Sequence, residues 1–268
     1  MTTPLITVQL FWPGMLRVDA RRDKGIPPAI CERTGPYSNM KLLAWNLNHR
    51  AARRPIPSWI TTAINEQAPD VLVLTEYVEG PDHDSFLATL NANGLCTFSC
   101  TTQPGRENQL LIASRDTQLR YELVVPDIHP SVPSNILEVS LASPGITVLG
   151  FRMPAFEPKQ RALKRRTWNW LFGEADRLRA GSTLIVGDFN TAPDDSEALC
   201  GDCLEKLIQS GWQHRPASGY SWRHPQSGTE RQIDHIFLSA SLVPRRVEYS
   251  WEFKRLAVCT KNQILQYW

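Results

Sequence analysis

The stretch Leu184-Ile185-Val186-Gly187-Asp188-Phe189-Asn190 opens apolar, reaches a glycine and ends in an Asp and an Asn two positions apart. An apolar run containing β-branched residues suits a strand buried on both faces, and a glycine where it ends lets the backbone turn freely. Side chains in extended backbone repeat every two residues, so Asp188 and Asn190 are expected to face the same way and supply one carboxylate and one amide to a common pocket. That pairing suits chemistry on a phosphate.

Upstream, Pro158 to Arg179 carries Leu163, Trp168, Leu171, Phe172, Ala175 and Leu178 at near-helical spacing, and Gly181 ends the helix before the strand. Lys41-Leu42-Leu43-Ala44-Trp45-Asn46-Leu47-Asn48 reads as a first core strand and Val71-Leu72-Val73-Leu74-Thr75-Glu76 as a second with an acid at its end. Short helices are expected over Trp59 to Gln67 and over Asp84 to Asn93, the latter stopped by Gly94. Gln109–Ser114, Ile136–Leu141 and Ile146–Phe151 read as further strands at hairpin spacing. Before Met40, Pro13-Gly14, Gly25-Ile26-Pro27-Pro28 and Gly35-Pro36 punctuate the chain too densely for a long regular element. Residues 1–39 are therefore expected to be an N-terminal extension, with Met40 as an alternative start, and residues 40–268 a single domain.

With 268 residues, 42% of them hydrophobic, the chain can bury the core of one enzyme-sized domain. A formal net charge of +2 falls well short of a protein that coats nucleic acid. Arg53-Arg54 and Lys164-Arg165-Arg166 are basic clusters able to meet phosphates, but a solvated surface is the simpler reading. Cys96/Cys100 and Cys200/Cys203 raise zinc or a redox pair. The pairs are far apart, lack a histidine at finger spacing and sit in a chain without secretory features, which favours reduced thiols and the cytoplasm. Leu5 to Trp12 is too short to span a bilayer, so no membrane span is expected.

The ends of these strands collect oxygen donors: Asn46 and Asn48, Glu76, Asp188 and Asn190, and Asp234 within Ile233-Asp234-His235-Ile236-Phe237-Leu238-Ser239. An Asp or Asn at one strand end is ordinarily a turn residue; the ordered set argues for a site. Carboxylates and amides favour magnesium or manganese over zinc. Trp45 and Trp222 lie near these residues in sequence and offer stacking surfaces for bases, although Trp45 reads better as core.

On these blocks, taken with Arg152-Met153-Pro154 and Tyr220-Ser221-Trp222, the chain resembles the endonuclease/exonuclease/phosphatase superfamily, the deoxyribonuclease I-like fold, over about residues 40 to 240. The resemblance implies an α/β fold: a four-layered α/β sandwich of two packed, mainly antiparallel sheets flanked by helices. It implies a Mg2+- or Mn2+-dependent phosphodiesterase, nuclease-like, acting as a monomer on a phosphate-containing substrate, nucleic acid first among them. Phosphomonoesters and lipid headgroups remain alternatives, as does an inactive nucleic-acid-binding relative. By the same resemblance Glu76 holds the metal with Asn46 and Asn48 beside it, Asp188 activates water, and Asn190 binds a phosphate oxygen. Asp234 completes the site, and Arg152 stands where relatives often carry a Tyr or His.

The departure is at the carboxyl end. Relatives carry a Ser-Asp-His block there whose His pairs with the Asp matched by Asp234, whereas this chain reads Leu256-Ala257-Val258-Cys259-Thr260-Lys261-Asn262-Gln263. His235 adjoins Asp234 but should point to the opposite face of the strand, and His214 and His224 read as ordinary exposed histidines. A truncated or frameshifted terminus is the expected cause, rather than a natural binding variant. Loss of a general acid or base commonly costs about a hundredfold to ten-thousandfold, so weak hydrolysis is expected.

Overall fold

A computed structural model describes residues 5–13, 37–52, 55–102, 108–121, 129, 132–143, 145–155, 160–215, 217, 219–224 and 226–250. The first sheet contains β1 (Leu5–Pro13), β2 (Tyr37–Asn46), β3 (Val71–Tyr77), β4 (Thr97–Cys100), β5 (Gln109–Ser114) and β14 (Val243–Ser250), in the order β14-β1-β2-β3-β5-β4. The second contains β6 (Gln118–Tyr121), β7 (Ile136–Leu141), β8 (Thr147–Arg152), β9 (Thr183–Asp188), β10 (Gln213–His214) and β13 (Asp234–Leu238), in the order β10-β13-β9-β8-β7-β6. A hairpin of β11 (Trp222–Arg223) and β12 (Glu230–Arg231) stands apart from both. Helices α1 (Ser58–Gln67), α2 (His83–Ala92), α3 (Arg161–Leu178) and α4 (Gly201–Gln209) complete the elements.

Each sheet holds one parallel pair, β2 with β3 and β8 with β9, among antiparallel neighbours. A parallel pair needs a long crossover, and α1 and α3 supply them. Alternation then sorts the side chains into layers. Val8, Leu42, Val73 and Ile112 meet Val139, Val148, Val186 and Ile236 between the sheets. Their neighbours Leu43, Leu72 and Leu111 pack outward with Ile60, Ile64 and Phe86 of α1 and α2. On the far side, Phe151, Ile185 and Phe237 pack with Trp168, Leu171 and Leu207 of α3 and α4. The outcome is the expected four-layered sandwich, and burial on both faces explains why its strands read as unbroken apolar runs.

The expected helices form within a few residues of their predicted bounds. Ile136–Leu141 and Thr147–Arg152 do form a hairpin, while Gln109–Ser114 joins the other sheet beside β3 and β4. Residues 5–13 differ from the expected extension. β1 is an interior strand, Val8 lying opposite Val247 on one side and Leu42 on the other, with Ile6, Val8 and Leu10 buried and Gln9 exposed. The period-two pattern stops at Pro13, where the Pro and Gly punctuation begins. Cys31, Cys259, Arg53-Arg54 and residues 256–263 lie outside the described residues. Among the described residues no helix is long and apolar enough to cross a membrane.

A chain started at Met40 would lack β1 and leave β2 and β14 without their shared partner. Loss of three buried aliphatic side chains removes about 5–8 kcal/mol, comparable to a whole domain's stability. Expression of residues 40–268 should yield insoluble or unfolded protein; a cooperative melt matching the full chain would contradict this placement.

Candidate active site

The parity that buries Leu42, Val148, Val186 and Ile236 between the sheets carries Asn46, Arg152, Asp188 and Asp234 to the same inner face at the strand ends. In register, Asp188 lies beside Arg152 of β8 on one side and Asp234 of β13 on the other. Glu76 arrives differently. The β3–β5 register breaks between Leu74 and Tyr77, and Glu76 has φ +49°, which departs from simple alternation at this end of the strand. Its carbonyl accepts from the His49 amide at 3.1 Å, and Thr75 O accepts from Leu47 N at 2.9 Å, closing the loop after β2 over the end of β3.

Asp188 is the hub. Oδ1 accepts from the Asn190 backbone amide at 2.9 Å; Oδ2 accepts from Asn46 Nδ2 at 2.9 Å and Asn190 Nδ2 at 3.1 Å. Arg152 Nε stands 3.9 Å from Oδ2 and, with Nη2, donates to Glu76 Oε1 at 3.2 and 2.9 Å. Asn190 does not continue the strand as expected. It adopts φ +46°, so it meets Asp188 through a tight side-chain-to-backbone turn rather than extended parity, and its amide also donates to Met153 O at 2.9 Å. Asn48 likewise has φ +48°, and its backbone amide donates to Asn46 Oδ1 at 2.9 Å. Asp234 is held through its backbone: its amide donates to Ser221 Oγ at 3.0 Å and its carbonyl accepts from Tyr249 OH at 2.6 Å. Its Oδ2 is buried with no hydrogen-bond partner among the described residues.

Burial pushes the Asp188 carboxyl up to about 6, against the pull of Arg152 and with a further push from Glu76. Burial, reinforced by the charge of Asp188, holds Asp234 well above the usual carboxylate range. Gly187 makes the strand end possible: at φ +147° a Cβ there would lie 1.9 Å from Phe151 O on the parallel neighbour.

A model of the endonuclease/exonuclease/phosphatase family matches residues 43–255. The chain belongs to that family. No curated protein matches the chain. An endonuclease/exonuclease/phosphatase from Beutenbergia cavernae is 20% identical, with TM-score 0.58, over 75% of this chain and 64% of that one, so the chain spans under two thirds of that protein. The 3′ phosphatase NExo from Neisseria, bound to a product DNA hairpin, is 20% identical with TM-score 0.59 over 75% of this chain and 87% of that one. An AP endonuclease from Archaeoglobus fulgidus is 17% identical with TM-score 0.55 over 75% and 86%. These likenesses establish the shared deoxyribonuclease I-like fold.

Within this family member several groups sit apart from their sequence-based reading. Lys164 is not surface: it donates to Asn190 O at 2.6 Å, and burial lowers it to about 8. Its signal was its place on the apolar stripe of α3, four residues before Trp168. Arg165 pairs with Asp202 rather than facing solvent alone. His49 and Asn108 also adjoin the rim without any distinguishing pattern in sequence. Trp45 is buried against Trp59 on the helix side, which removes it as a stacking surface, while Trp222 lies half-buried against His224. Cys200 and Cys203 are buried, and among the described residues no disulfide joins any of the cysteines.

His235 points away from the rim, as expected, with Nε2 2.8 Å from Thr191 O and Nδ1 3.1 Å from His214 Nε2. His214 is thus a partner within the second sheet's outer layer, not an exposed residue; burial lowers it to about 4 and His235 to about 3.

Gly187→Ala should cost at least about 3 kcal/mol or abolish soluble expression; a urea midpoint matching the wild type would contradict the strand approach. Histidines held neutral when folded bind protons first in the unfolded chain, so their contribution falls as pH drops from about 6.5 to about 4. His214→Gln should therefore gain stability relative to wild type across that window in urea melts at stepped pH. A constant difference would contradict it.

Proposed function

We propose that this chain is a divalent-metal-dependent phosphodiesterase, nuclease-like, in which water attacks in line without a covalent enzyme intermediate. The observation that carries this is the convergence on Asp188: Asn46, Arg152 and Asn190 contact or adjoin its carboxylate, Glu76 joins through Arg152, and Asp234 pairs beside it. Two carboxylates, Glu76 and Asp188, lie against one guanidinium, a third, Asp234, lies beside Asp188, and one buried oxygen of Asp234 has no partner among the described residues. This oxygen-rich, anionic donor set fits a hard divalent cation. Among the described residues no three His, Cys, Asp or Glu side chains form a metal-holding group; magnesium commonly takes one or two carboxylates and keeps several waters.

Glu76 and Asn46 would hold the ion, with Asn48 beside them. When bound, the metal supplies Lewis-acid stabilisation of charge on the phosphate and leaving oxygen. Asp188, fixed by donors on both oxygens, retains lone pairs with which to orient the attacking water and accept its proton. Asn190 binds a phosphate oxygen by exchanging its bond to Asp188, since its amide hydrogens are otherwise engaged by Met153 O and Asp188. Arg152 offers a second, permanently charged phosphate contact. The Neisseria neighbour bound to a DNA hairpin supports nucleic acid as substrate, and a reducing, cytoplasmic setting is part of the same proposal.

A nucleic-acid-binding relative with little turnover is the second reading, favoured by the unpartnered oxygen of Asp234. With enzyme in excess over an abasic or 3′-phosphorylated DNA duplex, slow Mg2+- or Mn2+-dependent cleavage should appear. Chelator should stop it, and Asp188→Asn should lower it about a hundredfold or more. Cleavage indifferent to Asp188→Asn would overturn the proposed chemistry, and tight binding without cleavage would favour the second reading.

A further inference from the structure

Arg152 is held inside the site, its side chain 12% exposed and that of Glu76 13%. Its Nε and Nη2 both donate to Glu76 Oε1. The orientation of the Asn108 amide that satisfies its neighbours has Oδ1 accepting from Arg152 Nη1 and Nη2 at 3.2 Å each and Nδ2 donating to His49 Nδ1 at 3.1 Å. His49 Nε2 lies 3.7 Å from Glu76 Oε2. One oxygen of the proposed metal ligand is thus engaged by a guanidinium, the other faces an imidazole, and Asn108 ties those two groups together.

A guanidinium on a partly buried carboxylate makes charge-assisted bonds worth more than a neutral pair. A divalent ion seeking Glu76 must displace that cation or bind beside it at a penalty in like charge. Once displaced, Arg152 is left near Asp188, 3.9 Å away and already bonded to Asn46 and Asn190. A phosphate entering the rim gives the guanidinium a planar, bidentate acceptor.

Resting on the metal-dependent reading above, we infer that Arg152 is an internal counter-cation on Glu76 whose displacement couples metal binding to phosphate binding. Without phosphate, Arg152 competes with the metal; with phosphate, it moves from competitor to substrate ligand. Such coupling is reciprocal: each ligand tightens the other by the same factor.

The test uses the full chain and reads Mn2+ binding by electron paramagnetic resonance, with and without thymidine monophosphate. Arg152→Gln should bind Mn2+ about tenfold or more tightly than wild type. Wild-type affinity should rise with thymidine monophosphate, and in Arg152→Gln that rise should disappear. Arg152→Lys, which keeps the charge, should stay close to wild type, and thermal melts of both variants check that they fold. Glu76-dependent Mn2+ binding in wild type that is unchanged or weaker in Arg152→Gln would overturn the inference while leaving the metal reading standing. Absence of Mn2+ binding in both proteins, or binding indifferent to Glu76→Gln, would overturn the metal reading and the inference with it.

Discussion

Mutual repulsion among Glu76, Asp188 and Asp234 is the constraint around which the rim of this protein is arranged. Asp188 and Asp234 lie side by side in the β9–β13 ladder, both buried, and burial raises the affinity of each for a proton. A buried carboxylate is tolerable only with donors or cations around it. Asp188 receives two side-chain amides and a backbone amide, and Glu76 receives Arg152. Asp234 is anchored through its backbone and keeps an unpartnered oxygen among the described residues. The site is therefore compensated unevenly, most completely at Asp188 and least at Asp234.

The two sheets make that clustering possible. Their parallel pairs, β2 with β3 and β8 with β9, end together at the rim, so strand ends distant in sequence deliver Asn46, Glu76, Arg152 and Asp188 to one place. The close approach of β9 to β8 at Gly187 and the apolar packing between the sheets fix those ends. β1 contributes to the same frame from the opposite side of β2, burying Ile6, Val8 and Leu10 in the inter-sheet core.

Much of this was legible in the sequence because strands covered on both faces announce themselves as apolar runs, and their polar terminations mark the rim. Asp188, Glu76 and Asp234 were readable in that way, as was His235's opposite orientation. What parity could not give was backbone geometry: Asn190, Asn48 and Glu76 all have positive φ, which breaks simple alternation where the site is built. Nor could a linear reading pair Arg152 with Glu76, since that contact joins different sheets. Lys164 was hidden in a basic triplet that looked like surface, although its spacing to Trp168 set it on the buried stripe. The strand at residues 5–13 was hidden by the irregular punctuation that follows it.

We propose above that the rim is a cation-dependent phosphate site held in balance by Arg152. Anomalous diffraction from crystals grown with Mn2+ and thymidine monophosphate tests it most directly. An anomalous peak is expected against the Glu76 carboxylate, with the Arg152 guanidinium withdrawn from Glu76 and on the phosphate. A structure with the Arg152–Glu76 pair intact and no anomalous peak at the rim would contradict it.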